Sequence, residues 1–263
     1  MDAHELLLKL EKETCRKCDH ILEVGSGSGE LLRRLAQKHN ASAVGVDPYI
    51  SEREEGNIAF IATRAEDIDS LNRRFGLIYT VISFHHFYDP DRFFEKIKKT
   101  LAWHGRFIIV DWKFGTHTGV PEKYFHLSDV TALTEKHDLK ILSKGTTSEH
   151  FYIVGTLPEF LCAVPTADNE TIFPKMLGQA PFFHIYSCSG ENYFQLIEKR
   201  TNIYAKTLQP QKTFDVYDEI NDCQAILSAR IGKNGIARLR DKGVKLFFDS
   251  GKIKTALLKI REG

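Results

Sequence analysis

Short apolar runs alternate with amphipathic segments over the first 155 residues. Five runs predict strands, at residues 21–24, 43–47, 58–62, 75–84 and 105–112. Apolar residues at helical spacing predict helices over residues 31–39 and 91–101, and a weaker helix after residue 63. This alternation indicates an α/β fold with a doubly wound, mostly parallel sheet. In such sheets, ligands bind beyond the carboxyl ends of the strands.

Further elements are predicted before the first of these strands and after the fifth. Leu6, Leu7 and Leu10 give an opening helix an apolar face. After the fifth strand, an irregular segment rich in glycine and aromatic residues is typical of a substrate-covering loop. Ser128 is expected to cap a helix over 129–137. Residues 139–144 and 150–155 then predict an antiparallel hairpin at the sheet edge.

A short joint around Pro158 separates this region from a second set of elements. A new strand is predicted over 160–164, followed by a charged hairpin through Ile197 and a helix near 215–221. We therefore predict two domains, residues 1–156 and 157–263. A chain of 263 residues is long enough for two cores of this size.

Composition narrows the functional classes. The chain has 36 Lys and Arg against 35 Asp and Glu, a formal charge of +1, so no global field favours nucleic acid or an anionic membrane. A charged N-terminus and the lack of ~18 consecutive apolar residues predict neither a signal peptide nor a membrane span. Five scattered cysteines suit a reducing compartment. We expect a cytoplasmic protein that acts on a small molecule.

Two of the cysteines, Cys15 and Cys18, form a C-x-x-C motif. The motif can serve a metal or redox site, but a zinc site usually needs two further ligands at recognisable spacing. Only His4 and His20 lie near it in the sequence. The alternative is the end of a helix that happens to carry two thiols.

The segment HILEVGSGSGE, residues 20–30, predicts a strand, a glycine turn and the start of a helix. Glycine serves where the backbone takes a positive φ or where a ligand approaches closely. The free N–H groups at a helix start favour an acceptor group. A dinucleotide fingerprint needs glycine three residues after Gly27, where Glu30 stands, and no G-K-[ST] phosphate loop is present.

Two acids complete a different pattern. Glu23 precedes the turn by two residues, and Asp47 ends the next strand. With Gly25, Gly27 and Gly29 they resemble the class I S-adenosyl-L-methionine-dependent methyltransferases over about residues 20–155. The resemblance implies a seven-stranded Rossmann-like sheet, with the turn against the methionyl part of the cofactor. It also implies that Asp47 binds the ribose hydroxyls.

The same resemblance assigns the remaining site residues. Those expected to bind the cofactor are Glu23, Gly25, Ser26, Gly27, Gly29, Asp47, Pro48, Glu66, Asp67, Ile68 and Ser83. His85 and His86 follow the fourth strand and are the catalytic candidates, since histidine changes charge near neutral pH. A structural turn is the alternative for this pair, and an exposed partner of Arg64 is the alternative for Glu66.

Aromatic residues supply candidates for an acceptor pocket, with lid packing as the alternative: Trp112, His117, Tyr124, His126 and His150. The sequence lacks an N-P-P-Y signature for methylation of nucleic-acid bases and a basic appendage, which favours a small-molecule acceptor.

Residues 160–262 are similar to the dinitrogenase iron-molybdenum cofactor biosynthesis domain. The matched features are A-V-P at 163–165, L-G-x-A-P-x-F-x-I-Y at 177–186 and the strand into Ile231-Gly232. The resemblance implies a small ribonuclease-H-like α/β fold. The family usually reads H-F-G where this chain has Met176-Leu177-Gly178, and a thioether is a weak ligand where imidazole binds many metals. We predict no metal site.

Three functional classes remain open. The first is a small-molecule methyltransferase with an accessory domain, which we favour. The second is a metallocofactor carrier or sensor whose first domain binds S-adenosyl-L-methionine without turnover. The third is a dinucleotide-dependent oxidoreductase, which the glycine spacing disfavours.

Overall fold

A computed structural model describes residues 1–15, 18–119, 123–189, 193–207 and 212–262. The chain divides into two compact units, Met1–Pro158 and Glu159–Gly263. In the part of the chain that the structure describes, no helix is both long enough and apolar enough to cross a bilayer.

The first unit is a three-layer α/β structure. Its elements are α1 Ala3–Thr14, β1 His20–Val24, α2 Glu30–His39, β2 Ser42–Val46, β3 Arg53–Glu55, β4 Ile58–Ile61, β5 Phe75–Val81, α3 Pro90–Thr100, β6 Leu101–Trp112, α4 Leu127–Lys136, β7 Lys140–Thr146 and β8 His150–Thr156. Two 3₁₀ turns, Ala65–Leu71 and Phe84–His86, follow β4 and β5. The strands form one sheet in the order β3-β4-β2-β1-β5-β6-β8-β7.

Five neighbouring strands of this sheet, β4, β2, β1, β5 and β6, run parallel. The hairpin β7–β8 joins one edge antiparallel to β6, as predicted. The fold class predicted from the sequence is therefore confirmed. The sheet has an eighth strand that was not predicted, because the charged segment before β4 folds back as β3 and pairs antiparallel with it.

Apolar side chains cover both faces of the sheet. One cluster contains Leu7 of α1 and Leu32 and Leu35 of α2. The other contains Phe94 and Ile97 of α3. Because both faces are covered, the central strands are apolar over most of their length, as is typical of parallel sheets.

Local chemistry sets the ends of several elements. Asp2 and Glu5 form a capping box at the start of α1. Asp89 caps α3, with its carboxylate accepting from the Arg92 N–H at 3.1 Å. The predicted cap at Ser128 is wrong: His126 holds the N-cap position of α4, and the Ser128 hydroxyl instead donates to Asp129 at 3.3 Å.

The strand predicted over 75–84 ends earlier, at Val81. Ile82 has a φ of 48°, which an extended strand does not allow. This reversal takes Phe84, His85 and His86 out of the strand and into a 3₁₀ turn. The turn carries the two histidines at the carboxyl edge of the sheet.

The second unit is a smaller α/β structure. Its elements are β9 Phe160–Thr166, β10 Phe182–Ser189, β11 Tyr193–Thr201, α5 Lys212–Asp218, β12 Ala225–Ser228, α6 Lys233–Asp241, β13 Lys245–Phe248 and α7 Ile253–Glu262. The strands form one sheet in the order β11-β10-β9-β12-β13. β10 pairs antiparallel with both β9 and β11, whereas β12 pairs parallel with both β9 and β13. Val216 and Leu239 belong to an apolar cluster that also contains Ile226 of β12.

Candidate active site

A cavity of about 460 Å³ lies beyond the carboxyl ends of β1, β2, β4 and β5 in the first unit. Six of the residues expected to form the site line it: Gly25, Asp47, Pro48, Glu66, Ser83 and His86. Eight others complete the wall: Val24, Val46, Tyr49, Thr63, Arg64, Ala65, Phe87 and Tyr88. The cavity lies where ligands bind in doubly wound sheets.

The three glycines of the turn have positive φ values of 78°, 48° and 75° but different surroundings. A Cβ on Gly25 would lie 2.4 Å from Ser83, and one on Gly29 would lie 2.2 Å from the Phe60 ring. A Cβ on Gly27 would meet nothing within 4 Å. Gly25 and Gly29 therefore permit close packing, whereas Gly27 leaves bare backbone facing open space.

Asp47 joins this turn to the loop that follows β2. Its Oδ2 accepts the Gly27 N–H at 3.2 Å, and its Oδ1 accepts the Tyr49 N–H at 2.9 Å. A carboxylate offers about four acceptor positions. The half-buried Asp47 therefore keeps acceptor capacity for a ligand in the cavity that it lines.

The three neighbours Glu66, Asp67 and Ile68 separate in space. Glu66 is buried, lines the cavity and accepts the Asp89 N–H at 3.0 Å. Asp67 pairs with Arg92 at 2.7 Å, and the Ile68 side chain lies in the apolar core. Only Glu66 of the three lines the cavity.

Glu23 and Ser26 are likewise buried without lining the cavity. Glu23 lies opposite Tyr79 of β5 in the parallel register, and Tyr79 belongs to the cluster that covers the α1–α2 face. Burial raises the pKa of Glu23 to about 8, while the nearby Tyr79 hydroxyl and Leu32 N–H lower it. Its Oε2 has no hydrogen-bond partner within the described ranges.

The two catalytic candidates occupy different environments. His86 is exposed and lines the cavity. His85 is buried, with its Nδ1 2.7 Å from Oδ1 of Asp111 at the end of β6. The two imidazole centroids are 3.9 Å apart. The structure therefore brings one histidine to the cavity and places the other behind it.

The aromatic candidates for an acceptor pocket do not form one cluster. His150 is buried and stacks on Trp112, with ring centroids 4.6 Å apart, and burial lowers its pKa. His126 instead stacks on Phe114 at 4.0 Å. Tyr124 hydrogen-bonds to Thr118 at 2.7 Å, and His117 is exposed.

Four residues that sequence analysis missed belong to this region: Tyr49, Arg64, Tyr88 and Asp111. The first three line the cavity, and both tyrosines are exposed. Each follows a strand end that had already supplied a candidate, so position along the chain was an available signal. Asp111 gave no such signal, because it lies inside the apolar run of a strand.

Four further side chains bear on metal binding: Cys15 and Cys18 of the C-x-x-C motif, and Met176 and His184 of the second unit. Cys15 and Cys18 are free, and both the Cys15 thiol and burial raise the pKa of Cys18. In the second unit, Met176 is half-exposed and pairs with Arg230 in an isolated bridge. The buried His184 hydrogen-bonds to Asn169 at 2.8 Å. No group of three potential ligand side chains that could hold a metal ion occurs among the residues described.

Comparison with known proteins gives two family matches. Residues 159–263 match the family described as dinitrogenase iron-molybdenum cofactor. Residues 2–143 match the family described as methyltransferase domain. A search of curated proteins finds no match.

Solved structures similar to this chain include three proteins of low sequence identity. A SAM-dependent methyltransferase from Aquifex aeolicus is 18% identical to this chain. The match covers 56% of this chain and 87% of that protein, with a TM-score of 0.47. The N-methyltransferase NodS from Bradyrhizobium japonicum WM9 is 18% identical, with coverages of 59% and 94% and a TM-score of 0.47. A 1,6-didemethyltoxoflavin-N1-methyltransferase from Burkholderia thailandensis is 14% identical, with coverages of 59% and 77% and a TM-score of 0.46.

The family match to the first unit covers the glycine turn, the cavity and both histidines, and it extends over more than half of the 263 residues. The chain therefore belongs to the methyltransferase domain family.

Proposed function

We propose that the first unit binds S-adenosyl-L-methionine and transfers its methyl group to a small-molecule acceptor. The observation that carries this proposal is the cavity that Gly25 and Asp47 line, together with the hydrogen bond that the Gly27 N–H donates to the Asp47 carboxylate. Family membership supports a methyl-transfer reaction, and the cavity supplies a site for it.

The residues present fit such a cofactor. A volume of about 460 Å³ lies within the range of about 300–1,000 Å³ found for small-molecule sites. Asp47 would accept the ribose hydroxyls, and the turn from Gly25 to Gly27 would hold the methionyl part. Glu66 is buried, lines the cavity on the β4 side, and would bind the nucleobase. The bound cofactor would supply an electrophilic methyl group.

We infer that the second unit is an accessory module for recognition or regulation. The match of residues 159–263 supports a second candidate function, in which the protein carries or senses a metallocofactor. In that case, the first unit would bind the nucleoside without turnover. Metal analysis of the freshly purified full chain distinguishes the two functions, because a carrier should retain stoichiometric metal.

Calorimetry with S-adenosyl-L-methionine tests the cofactor assignment. The Asp47→Ala substitution removes a charged acceptor and should weaken binding by about 1.5 to 3 kcal/mol, the range for hydrogen bonds to charged groups. This corresponds to roughly a ten- to hundredfold increase in Kd. Asp67→Ala is the matched control, because Asp67 pairs with Arg92 on the surface and does not line the cavity.

Transfer of a labelled methyl group to pools of small molecules then tests turnover. Normal binding by the Asp47→Ala variant would show that the ribose assignment is wrong. Binding by the wild-type chain without transfer to any pool, together with retained metal, would favour the carrier function.

A further inference from the structure

Three charged side chains form a network beside the glycine turn, and Glu55 of β3 lies at its centre. The two oxygens of Glu55 accept N–H groups of Arg33 at 2.7 and 2.9 Å, and one of them also accepts the Nε–H of Arg53 at 2.8 Å. The two guanidiniums lower the pKa of Glu55 to about 2, so the carboxylate stays charged at neutral pH. The paired bonds to Arg33 fix the relative orientation of the two groups.

The same arginines reach the backbone of the turn. Nη1 of Arg33 donates to the Ser28 carbonyl at 2.9 Å, and Nη2 of Arg53 lies 3.5 Å from the same oxygen. At the other end of this peptide group, the Gly29 N–H donates to the Ser26 carbonyl at 2.8 Å. Because the carbonyl and the N–H of the Ser28–Gly29 peptide are both hydrogen-bonded, the orientation of this peptide is fixed.

The Phe60 ring connects the network to the turn by packing. Phe60 is buried in β4 and lies opposite Arg53 in the antiparallel register of β3 and β4. Cζ of Arg53 lies 3.7 Å from the centroid of the ring, within the range of a cation–π interaction. The same ring packs so closely on Gly29 that a Cβ there would lie 2.2 Å from it. The turn is therefore held both by hydrogen bonds to Ser28 and by the aromatic ring against Gly29.

We propose that Arg33, Arg53 and Glu55 are positioning residues that hold the glycine turn, Gly25–Gly29, in the conformation that binds the methionyl part of S-adenosyl-L-methionine. None of the three lines the cavity, so they act through the backbone of the turn. This inference rests on the proposed function. It gives a role in ligand binding to β3, the strand that carries two of the three residues.

The turn needs support from outside because it contains three glycines. Gly25, Gly27 and Gly29 have φ values of 78°, 48° and 75°, and glycine adopts positive and negative φ about equally well. The turn therefore has little conformational restraint of its own. A site that adopts its binding conformation only part of the time binds its ligand more weakly by that fraction. The network would raise the affinity by keeping the turn in the binding conformation.

Two ligands separate this role from a general effect on the fold. S-adenosylhomocysteine and 5′-methylthioadenosine share the adenosine and the thioether, but only S-adenosylhomocysteine carries the amino-acid part that the turn would hold. Calorimetry of the full chain measures the Kd for each ligand. A weakened fold would reduce both affinities by the same factor, whereas a mispositioned turn would reduce only the affinity for S-adenosylhomocysteine.

Glu55→Gln is the first variant, because an amide has one acceptor oxygen and no charge with which to hold two guanidiniums. It should raise the Kd for S-adenosylhomocysteine about tenfold, as expected if the turn adopts the binding conformation about a tenth of the time. The Kd for 5′-methylthioadenosine should not change. Urea unfolding followed by tryptophan fluorescence shows whether the variant is folded.

Arg33→Lys is the second variant and carries the same test if Glu55→Gln does not fold. Lysine keeps the positive charge but lacks the planar fork that joins Glu55 to Ser28. It should therefore cause the same selective loss of affinity for S-adenosylhomocysteine. The double variant should lose no more affinity than the weaker-binding single variant, because both substitutions break one network.

Glu95→Gln is the matched control. Glu95 is also a partly exposed carboxylate in an ion pair, 2.5 Å from Lys99 on α3, and it does not line the cavity. Its substitution should leave both Kd values unchanged, and a selective loss there would contradict the assignment to the network. Equal losses for the two ligands in Glu55→Gln, or unchanged affinity for S-adenosylhomocysteine in either network variant, would overturn the inference. Failure of the wild-type chain to bind either ligand would instead refute the proposed function.

Discussion

Replacing Glu23 with glutamine should stabilise the first unit at neutral pH. Glu23 is a buried carboxyl group on β1 that has no ion-pair partner within the described ranges. Its Oε2 atom is buried without a hydrogen-bond partner in that part of the chain. Burial raises the pKa of Glu23 to about 8, so the side chain is mostly neutral at pH 7 in the folded protein.

The sign of the effect follows from proton linkage. Between pH 4.5 and pH 8 the unfolded chain has lost this proton while the folded chain retains it, so stability falls as the pH rises through that window and levels off above it. Each pH unit of separation is worth about 1.4 kcal/mol, so holding Glu23 neutral costs about 3 kcal/mol at pH 7. Glutamine keeps the shape and removes this cost.

Urea unfolding followed by tryptophan fluorescence measures the change. Both tryptophans, Trp103 and Trp112, lie in the first unit, so the signal reports on that unit. Glu23→Gln should raise the free energy of unfolding by up to about 3 kcal/mol at pH 7, with a much smaller effect near pH 5. It should leave the affinity for S-adenosyl-L-methionine unchanged, because Glu23 does not line the cavity.

Glu11 is the matched control. It is also a buried carboxylate, but it pairs with Lys38 and lies 2.6 Å from His39. Glu11→Gln should therefore destabilise the unit by about 1.5 to 3 kcal/mol at pH 7. If Glu23→Gln were less stable than the wild type at pH 7, or if both had the same pH dependence, the reasoning from burial would be wrong.

The remaining predictions concern the glycine turn and the second unit. Gly29→Ala should destabilise the first unit by more than about 2 kcal/mol in the same unfolding assay, because its Cβ would lie 2.2 Å from the Phe60 ring; unchanged stability would contradict this contact. Gly27→Val should weaken cofactor binding in calorimetry far more than Asp47→Ala does. The valine side chain would fill the open space beside the turn, at a φ of 48° that a β-branched residue resists. Unchanged affinity would show that the glycine turn does not contact the cofactor. Met176→His should increase iron binding after anaerobic reconstitution, with the adjacent exposed Lys175→His as control, and tight stoichiometric iron in the wild type would refute the argument that a ligand is missing.

Much of the first unit was readable because its signals are local. Its signals are the apolar runs, the glycine turn and the helix that connects β1 to β2. Each depends on residues that are neighbours in the chain, and all were predicted within a few residues. The unpredicted strand β3 consists of Arg53, Glu54 and Glu55, which give no apolar signal. Its pairing with β4 depends on the partner strand and on contacts such as that of Arg33 with Glu55 at 2.7 Å.

In the candidate site too, some features depend on neighbours in the chain and others depend on the fold. Sequence alone determined that Asp47, the glycine turn and the two histidines follow strand ends, and parallel strands bring those ends to one edge of the sheet. It could not decide which neighbour faces the cavity. Glu23 and Val24 alternate across a strand that is buried on both faces, so the apolar pattern does not identify the cavity side.

Only the tertiary structure decided the roles of residues that meet across long separations. The Asp111 carboxylate is hydrogen-bonded to His85, which lies 26 positions away in the chain. Arg92 of α3 donates a hydrogen bond to Asp67, whereas the neighbouring Glu66 lines the cavity. These pairings depend on where α3 and β6 pack, because a hydrogen bond forms only when distance and direction are both satisfied. Residue type and order establish which chemistry is available, and packing establishes which groups face the ligand.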